Sequence, residues 1–452
     1  MSGASDKARY HLERSVPTLQ LLSRLSIFTP AELTSLTTQR STFEHTLSAR
    51  GSTPLDYARY AAFETNLAAL ITSRCARKKI RSPELRFAGQ RAVFYILDRG
   101  TKKFPGDMGL WMQYISFCEQ EGAHRKLAKV FTGVLRLRPR EWGVWVKAAK
   151  YYAEVQGDMT TARGYLQRGL RFCPVEEGLW GEYVRLEMGW LGKVAARKRI
   201  LGLDGETKTE EEEVGKEDED EKMEDATAEE DMIALPTVTA ADFDSEPPTT
   251  TALAAIAKTT TAPAYTGALP IAIIDACLAS FPSATQPALA SRLFDIVALF
   301  PFVPATPAIL THVLASLTAT TPEAVETFVC DAKLRLLGLA ATSLDFPVKL
   351  GEALKCFKRG LNSVTEKERV RLAERAVEVL APFVEDEEAD EDVRVVLLAS
   401  VERYLRVISK AEGRRRKLSP LVNALVEGLE RGERITAEAV RIAGTAAAVV
   451  VK

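Results

Sequence analysis

Few side chains in this sequence have the types and spacing that covalent or metal chemistry requires. The four histidines, His11, His45, His124 and His312, are scattered, and no two of the six cysteines lie closer than 26 residues. That pattern offers neither the paired thiols of a zinc module nor a disulfide framework, and it fits a reducing intracellular compartment. The densest carboxylate pairs, such as Glu210 with Glu213, fall in an acidic run with no pocket implied around them. P-loop, GxSxG, HExxH and dinucleotide-type glycine patterns do not occur. No cofactor, metal or small-molecule substrate is expected, and enzyme is the class with least support.

What remains is the chemistry of recognition. The basic cluster Arg74, Arg77, Lys78, Lys79 with Arg81, and the shorter clusters Arg197-Lys198-Arg199 and Arg414 to Lys417, could contact RNA phosphates or serve nuclear import. The plainer reading of each is a solvated helix face. Aromatic triplets could stack bases, but their spacing makes them core residues first. Trp111, Trp145 and Trp180 recur at intervals of 34 and 35 residues, and six residues before each stands a proline: Pro105, Pro139 and Pro174. Periods of this size signal a helical-repeat array.

The elements that position these residues follow from the spacing. Trp111, Tyr114 and Phe117 share one helical face, as do Trp145, Ala148 and Tyr151, and Trp180, Tyr183 and Leu186 ahead of Glu187. Each such helix A is followed by an apolar helix B, with Leu127, Phe131 and Leu135 in one copy and Ala162, Leu166 and Leu170 in the next. The prolines lack an N–H and end each pair. Upstream, Tyr57, Tyr60, Phe63 and Glu64, then Leu67 and Leu70, give an earlier copy with Tyr57 in the Trp place. Residues 1–52 read as two helices: one carrying Leu12, Val16, Leu19 and Leu22 and interrupted by Pro17, the other opening at Thr29-Pro30-Ala31-Glu32 and ended by Gly51 as a C′ glycine.

Beyond residue 204 the composition changes. Glu206 to Asp231 holds 15 acids and three lysines, a net of −12, which leaves +11 on the rest of a chain whose total is −1. With the Thr/Ala/Pro-rich stretch that follows, residues 205–268 are expected to be a disordered insertion. Helical spacing resumes over 269–452: Ile271, Ile274, Leu278 and Phe281; Leu289, Leu293, Val297 and Phe300; Leu350, Leu354, Phe357 and Leu361; Leu397, Val401, Tyr404 and Ile408; with Ser363-x-x-Glu366 as a capping box. Met1 to Ser15 is polar and charged, unlike a signal peptide, and the longest charge-free run, Ile296 to Pro322, carries four prolines, so a soluble chain is expected. The fold class is all-α: an α-solenoid of tetratricopeptide-like helix pairs, residues 53–204, between N-terminal helices and a degenerate helical half.

Aromatics stand where the tetratricopeptide pattern has Leu and Gly, so the repeat resembles the half-a-tetratricopeptide (HAT) repeat of RNA-processing scaffolds. Its helix A resembles Trp-x-x-Tyr-x-x-Phe-Glu, and Ala162-Arg163, Arg168 and Leu170 match part of its helix B; Gly133, Cys118 and Ala148 depart from it. The N-terminal series narrows the resemblance. Tyr10-x-Leu12-Glu13-x-x-Val16-Pro17, Ile27-Phe28-Thr29-x-x-Glu32, Arg40-x-x-Phe43-Glu44, Arg50-Gly51-Ser52 and Asp56-Tyr57-x-x-Tyr60-x-x-Phe63-Glu64 resemble the U-three small nucleolar RNA-associated protein six family, closely over residues 9–190 and loosely afterwards.

The resemblance implies a non-catalytic scaffold of the small-subunit processome, the 90S pre-ribosome, in the nucleolus. It would sit within the UTP-B subcomplex beside WD-repeat propeller subunits and support maturation of 18S ribosomal RNA. Contact with the particle containing U-three small nucleolar RNA would be chiefly indirect, and no membrane is involved. The N-terminal helices, with Tyr10, Leu12, Val16, Pro17 and Leu19, are the expected docking element. Two alternatives stand beside this reading: a HAT-repeat scaffold of pre-mRNA splicing or 3′-end processing, and a protein that binds RNA directly.

Overall fold

The computed structural model describes residues 2–80, 83–200, 266–386, 389–410, 418–431 and 435–450. Every regular element among them is a helix, so the chain is all-α, built as a solenoid-like succession of helices that pack on their neighbours in sequence. The described residues fall into two compact units, 1–179 and 180–452, with the division inside one helix. The acidic and Thr/Ala/Pro-rich stretch expected to be an insertion lies almost wholly outside the described residues, as do Arg81 and Arg414 to Lys417.

The first unit contains α1 (Ser2–Glu13), α2 (Val16–Arg24), α3 (Pro30–Ser48), α4 (Pro54–Arg77), α5 (Pro83–Lys103), α6 (Met108–Gln120), α7 (His124–Leu137), α8 (Trp142–Tyr151) and α9 (Met159–Phe172). Helix starts follow local chemistry. At α3 the Glu32 N–H donates to Thr29 Oγ1 at 3.3 Å, the Glu32 carboxylate accepts from the Thr29 N–H at 2.8 Å, and Pro30 takes a first-turn place where no N–H is needed. Asp56 accepts from the Thr53 N–H and hydroxyl at 2.8 Å to start α4.

Three expectations are corrected here. Pro17 does not interrupt one helix; it sits in the first turn of a new one, so the N-terminal stretch has three helices rather than two. Gly51 does not act as a left-handed C′ glycine: α3 ends at Ser48 on an extended Ala49, and Gly51 is not among the glycines with positive φ. In the helices up to α4 the left-handed conformation falls instead on Ser26 (φ 51°) and Lys79 (φ 56°). At Lys79 the Ile80 N–H reaches the Cys75 carbonyl at 2.9 Å and the Lys79 N–H reaches Ala76 at 3.1 Å, the double bond of a Schellman turn. Leu70, expected on the buried stripe, is 43% exposed.

The proline-to-tryptophan offset has a physical cause. Trp111 Nε1–H donates to the Pro105 carbonyl at 3.1 Å, and Trp145 Nε1–H donates to the Pro139 carbonyl at 2.8 Å. Each indole thus satisfies a carbonyl in the turn that precedes its own helix while its ring enters the core. The rings rest on glycines of neighbouring helices. A Cβ on Gly169 would lie 3.0 Å from Trp145, one on Gly133 3.5 Å from Trp111, and one on Gly100 3.0 Å from Tyr57. Helix A of the second copy does not end at Tyr151 but loosens into a π-helical turn, Tyr152–Gln156, where Tyr152 stacks on Tyr165 at 5.2 Å.

The second unit takes in most of α10 (Glu177–Ile200), then α11 (Ala268–Ser280), α12 (Gln286–Ala298), α13 (Thr306–Thr320), α14 (Val325–Leu336), α15 (Phe346–Ser363), α16 (Glu366–Glu385), α17 (Glu391–Ser409), α18 (Pro420–Glu430) and α19 (Ala437–Val450). One continuous core joins α14 to α19, with Phe346, Phe357, Leu397 and Val440 fully buried. The cap expected at Ser363-x-x-Glu366 is displaced by two residues. Helix α15 runs through Ser363, whose hydroxyl donates back to Arg359 and Gly360 carbonyls, and Thr365 takes the N-cap place of α16. No helix among the described residues is long and apolar enough to cross a membrane.

Candidate partner-binding surface

The N-terminal helices are held together by arginine–glutamate pairs that bind through both nitrogens and both oxygens. Arg40 on α3 donates from Nε and Nη2 to the Glu64 carboxylate on α4, both at 2.7 Å, and the two side chains are 7% and 2% exposed. One turn further along α3, Glu44 accepts from Arg99 of α5 at 3.0 and 2.9 Å. At the start of α3, Glu32 accepts from Arg74 of α4 at 3.0 and 2.8 Å. The paired Arg74 guanidinium, with the Thr29 N–H beside it, holds the Glu32 carboxyl down to about 2. Planar guanidinium and carboxylate fix distance and rotation together, so these contacts set the helix register.

Around the pairs lies a small apolar core in which Leu22, Ile27 and Phe28 meet Leu67, Ile71 and Leu85. Phe43 stacks on Tyr60 at 4.9 Å beside it. Helix α1 is tied to α5 by His11, whose Nδ1 shares a 2.8 Å hydrogen bond with the Tyr95 hydroxyl, while Arg14 lies 3.9 Å over the Tyr95 ring. Burial, followed by the charges of Arg99 and Arg14, pushes the His11 pKa below its ordinary 6.5.

Between α1–α2 and α3 runs an open groove of about 790 Å³ whose walls include Leu12, Val16 and Leu19 on one side and Thr38, Thr42 and Thr46 on the other. The threonine hydroxyls donate back to carbonyls four residues earlier, Thr38 to Thr34 at 2.9 Å, Thr42 to Thr38 at 3.0 Å and Thr46 to Thr42 at 2.8 Å. With their donors used inside the helix, these residues make the wall less polar than its composition suggests. Of the expected docking residues, Leu12, Val16 and Leu19 therefore share one surface; Tyr10 is 60% exposed and Pro17 is exposed, and neither lines the groove.

The repeat-signature residues are placed differently. Tyr57, Tyr60, Glu64, Trp111, Tyr114, Phe117, Trp145, Tyr151, Trp180, Tyr183 and Glu187 are buried, Phe63 is half-buried, and Pro139 and Pro174 lie in turns. Their rings are occupied in packing and are not laid open for bases to stack on. The basic cluster is divided: Arg74 pairs with Glu32 and lies 4.3 Å over Phe28, Lys78 donates to the Ser26 carbonyl, and Arg77 and Lys79 are exposed. Sequence reasoning missed Arg99 and Tyr95 as partners. Charged residues at Arg40 and Glu44, one turn apart beside Phe43 on the inward face, were the signal that the face needed opposite charges from other helices.

The same stretch carries the likeness to known proteins. Residues 12–93 match the family model of the U3 small nucleolar RNA-associated protein 6 family. The chain is similar to that family over this stretch. It is 31% identical over 208 residues to U3 small nucleolar RNA-associated protein 6 of Schizosaccharomyces pombe, covering 46% of this chain and 43% of that protein. The homologues of Mus musculus and Homo sapiens are 30% and 29% identical over 190 and 189 residues, about two fifths of this chain and 32% of each of theirs. The matched stretch thus spans less than half the length of these curated relatives. The family stretch contains Glu32, Arg40, Glu44, Glu64 and Arg74 and the whole of the α1–α3 groove from Leu12 onward.

Proposed function

We propose that this chain is a non-catalytic helical scaffold in ribosome biogenesis, acting in the nucleolus within the U3-containing small-subunit processome and its UTP-B subcomplex. In this reading residues 1–52 dock a WD-repeat propeller subunit, residues 53–204 form the HAT-repeat solenoid, and residues 269–452 form a second helical half. Contact with U3 small nucleolar RNA is indirect. The observation that carries the reading is the coincidence of the family-matched stretch with helices locked by the buried Arg40–Glu64 pair and bearing an open groove. Buried pairs of this kind fix a shape more than they add stability, which suits an element whose task is to present a surface.

The test is affinity purification of the full chain beside a Val16→Glu/Leu19→Glu variant, with the associated proteins and RNA identified. Both substitutions fall on the groove wall rather than in the core. Propeller subunits and U3 small nucleolar RNA should accompany the wild-type chain and be depleted about tenfold or more with the variant, since charge placed in an apolar contact removes most of its affinity. Recovery of splicing or 3′-end-processing factors instead, or undiminished recovery with the variant, would overturn the assignment.

A further inference from the structure

A second concave surface in the first unit lies away from the α1–α3 groove. Two adjoining hollows of about 720 and 700 Å³ meet at Arg91, Phe94 and Lys126 and together form a trough between α5 and α7. Its two ends are marked by exposed apolar side chains, Phe87 at 56% and Leu137 at 53%. The floor is aromatic: Phe94, Trp111 and Tyr114 are each less than a tenth exposed. The rim is cationic. Arg14, Arg91, Lys102, Arg125, Lys126 and Lys129 face only Glu84 and Asp98 among the lining residues, and Asp98 is already engaged by Lys102 at 2.8 Å. Among the described residues Arg125 and Lys129, one turn apart on α7, have no carboxylate partner.

We propose that this trough binds an acidic peptide segment of a partner protein, anchored by apolar side chains against Phe87 and the aromatic floor. Charge complementarity selects an anionic occupant. The state of the rings selects a peptide over RNA. Base stacking on a strand requires a succession of open aromatic faces, and of the rings here only Phe87 offers one: Lys126 lies 3.8 Å over Phe94 and Arg14 lies 3.9 Å over Tyr95. What the trough offers beyond its rim is carbon, and apolar side chains fill such a surface as bases and ribose do not. Cations on both walls leave room for carboxylates on both edges of one extended or helical segment.

The proposal is tested by fluorescence anisotropy on the purified full chain. The probe is a labelled peptide of about 15 residues in which Glu and Asp alternate with Leu and Phe anchors, enough to span such a trough. The comparison ligands are the same peptide with Lys for its acids and an oligouridine of similar charge. The acidic peptide should bind and the lysine form should not. Phe87→Ala and Arg125→Ala/Lys129→Ala should each weaken binding about tenfold or more. All three residues are exposed, so thermal unfolding should stay unchanged. Absence of binding by the acidic peptide at low salt, binding indifferent to these substitutions, or tighter binding of oligouridine through the same residues would each overturn it. A negative result leaves the α1–α3 docking reading untouched, because that surface shares no residue with this one.

Discussion

At the scale of single residues, the most consequential contact is the Arg40–Glu64 pair. Glu64 was readable as the acid that closes the Trp-x-x-Tyr-x-x-Phe-Glu pattern, but the pattern gives no reason for an acid at a buried position. The reason is Arg40, 24 residues earlier, a residue only 5% exposed that makes two 2.7 Å bonds to that carboxylate. Arg40 Nη1 has no partner among the described residues, so the guanidinium depends on Glu64 for its compensation. Glu64→Ala would leave a buried cation uncompensated and should cost about 3–5 kcal/mol. The double replacement Arg40→Met/Glu64→Leu, which removes both charges at similar volume, should recover most of that loss. Urea denaturation of the three chains checks the pair of expectations. A single mutant within 1 kcal/mol of wild type would show that water, rather than the pair, solvates Arg40.

At the scale of elements, most helices were legible because their starts are written locally. Thr29-Pro30-x-Glu32 opens a helix where expected, Thr53-Pro54 opens the next in the same manner, and the proline–tryptophan offset marks turns that the indole N–H then closes. What was not legible depends on contacts between helices. Left-handed caps at Ser26 and Lys79 carry no glycine to announce them, yet the two turns are joined by Lys78 reaching the Ser26 carbonyl. The glycines at 100, 133 and 169, five or six residues before a proline, were present as a signal, but only the ring packed against each explains them. The scattered histidines show no metal-ligand spacing, but tethering, unlike metal binding, needs no spacing rule. His11 makes α1 dependent on pH. Its folded pKa lies below the ordinary 6.5, so the unfolded or undocked helix binds the proton more readily. The tether is therefore fully present above pH 6.5 and is lost as pH falls from there through the folded value. Hydrogen exchange in α1, corrected for intrinsic rates, should quicken between about pH 7.5 and 5.5. His11→Gln should abolish that response, and equal pH sensitivity in the variant would assign it to another group.

At the scale of the whole molecule, the question is how far one repeat feels another. In a stacked array each helix pair touches only its neighbours, so stability is a sum of local terms and the effect of a lesion decays with distance along the chain. Trp145 tests this. It is 4% exposed, donates to the Pro139 carbonyl, stacks on Phe172 at 5.9 Å and rests on Gly169, contacts that fall within α9 and the turn before α8. Truncation to Ala should cost about 3–5 kcal/mol locally. Hydrogen exchange should then accelerate in α8 and α9, and less in α6 and α7. It should be unchanged in α1–α3, which have their own core at Leu22 and Leu67, and in α15–α18, whose core is centred on Phe357 and Leu397. Uniform acceleration throughout would mean a single cooperative core, with no helix free to yield alone. A graded response would mean that a partner seated on one groove can order its own helices without tightening the rest, which is how a scaffold can receive several partners independently.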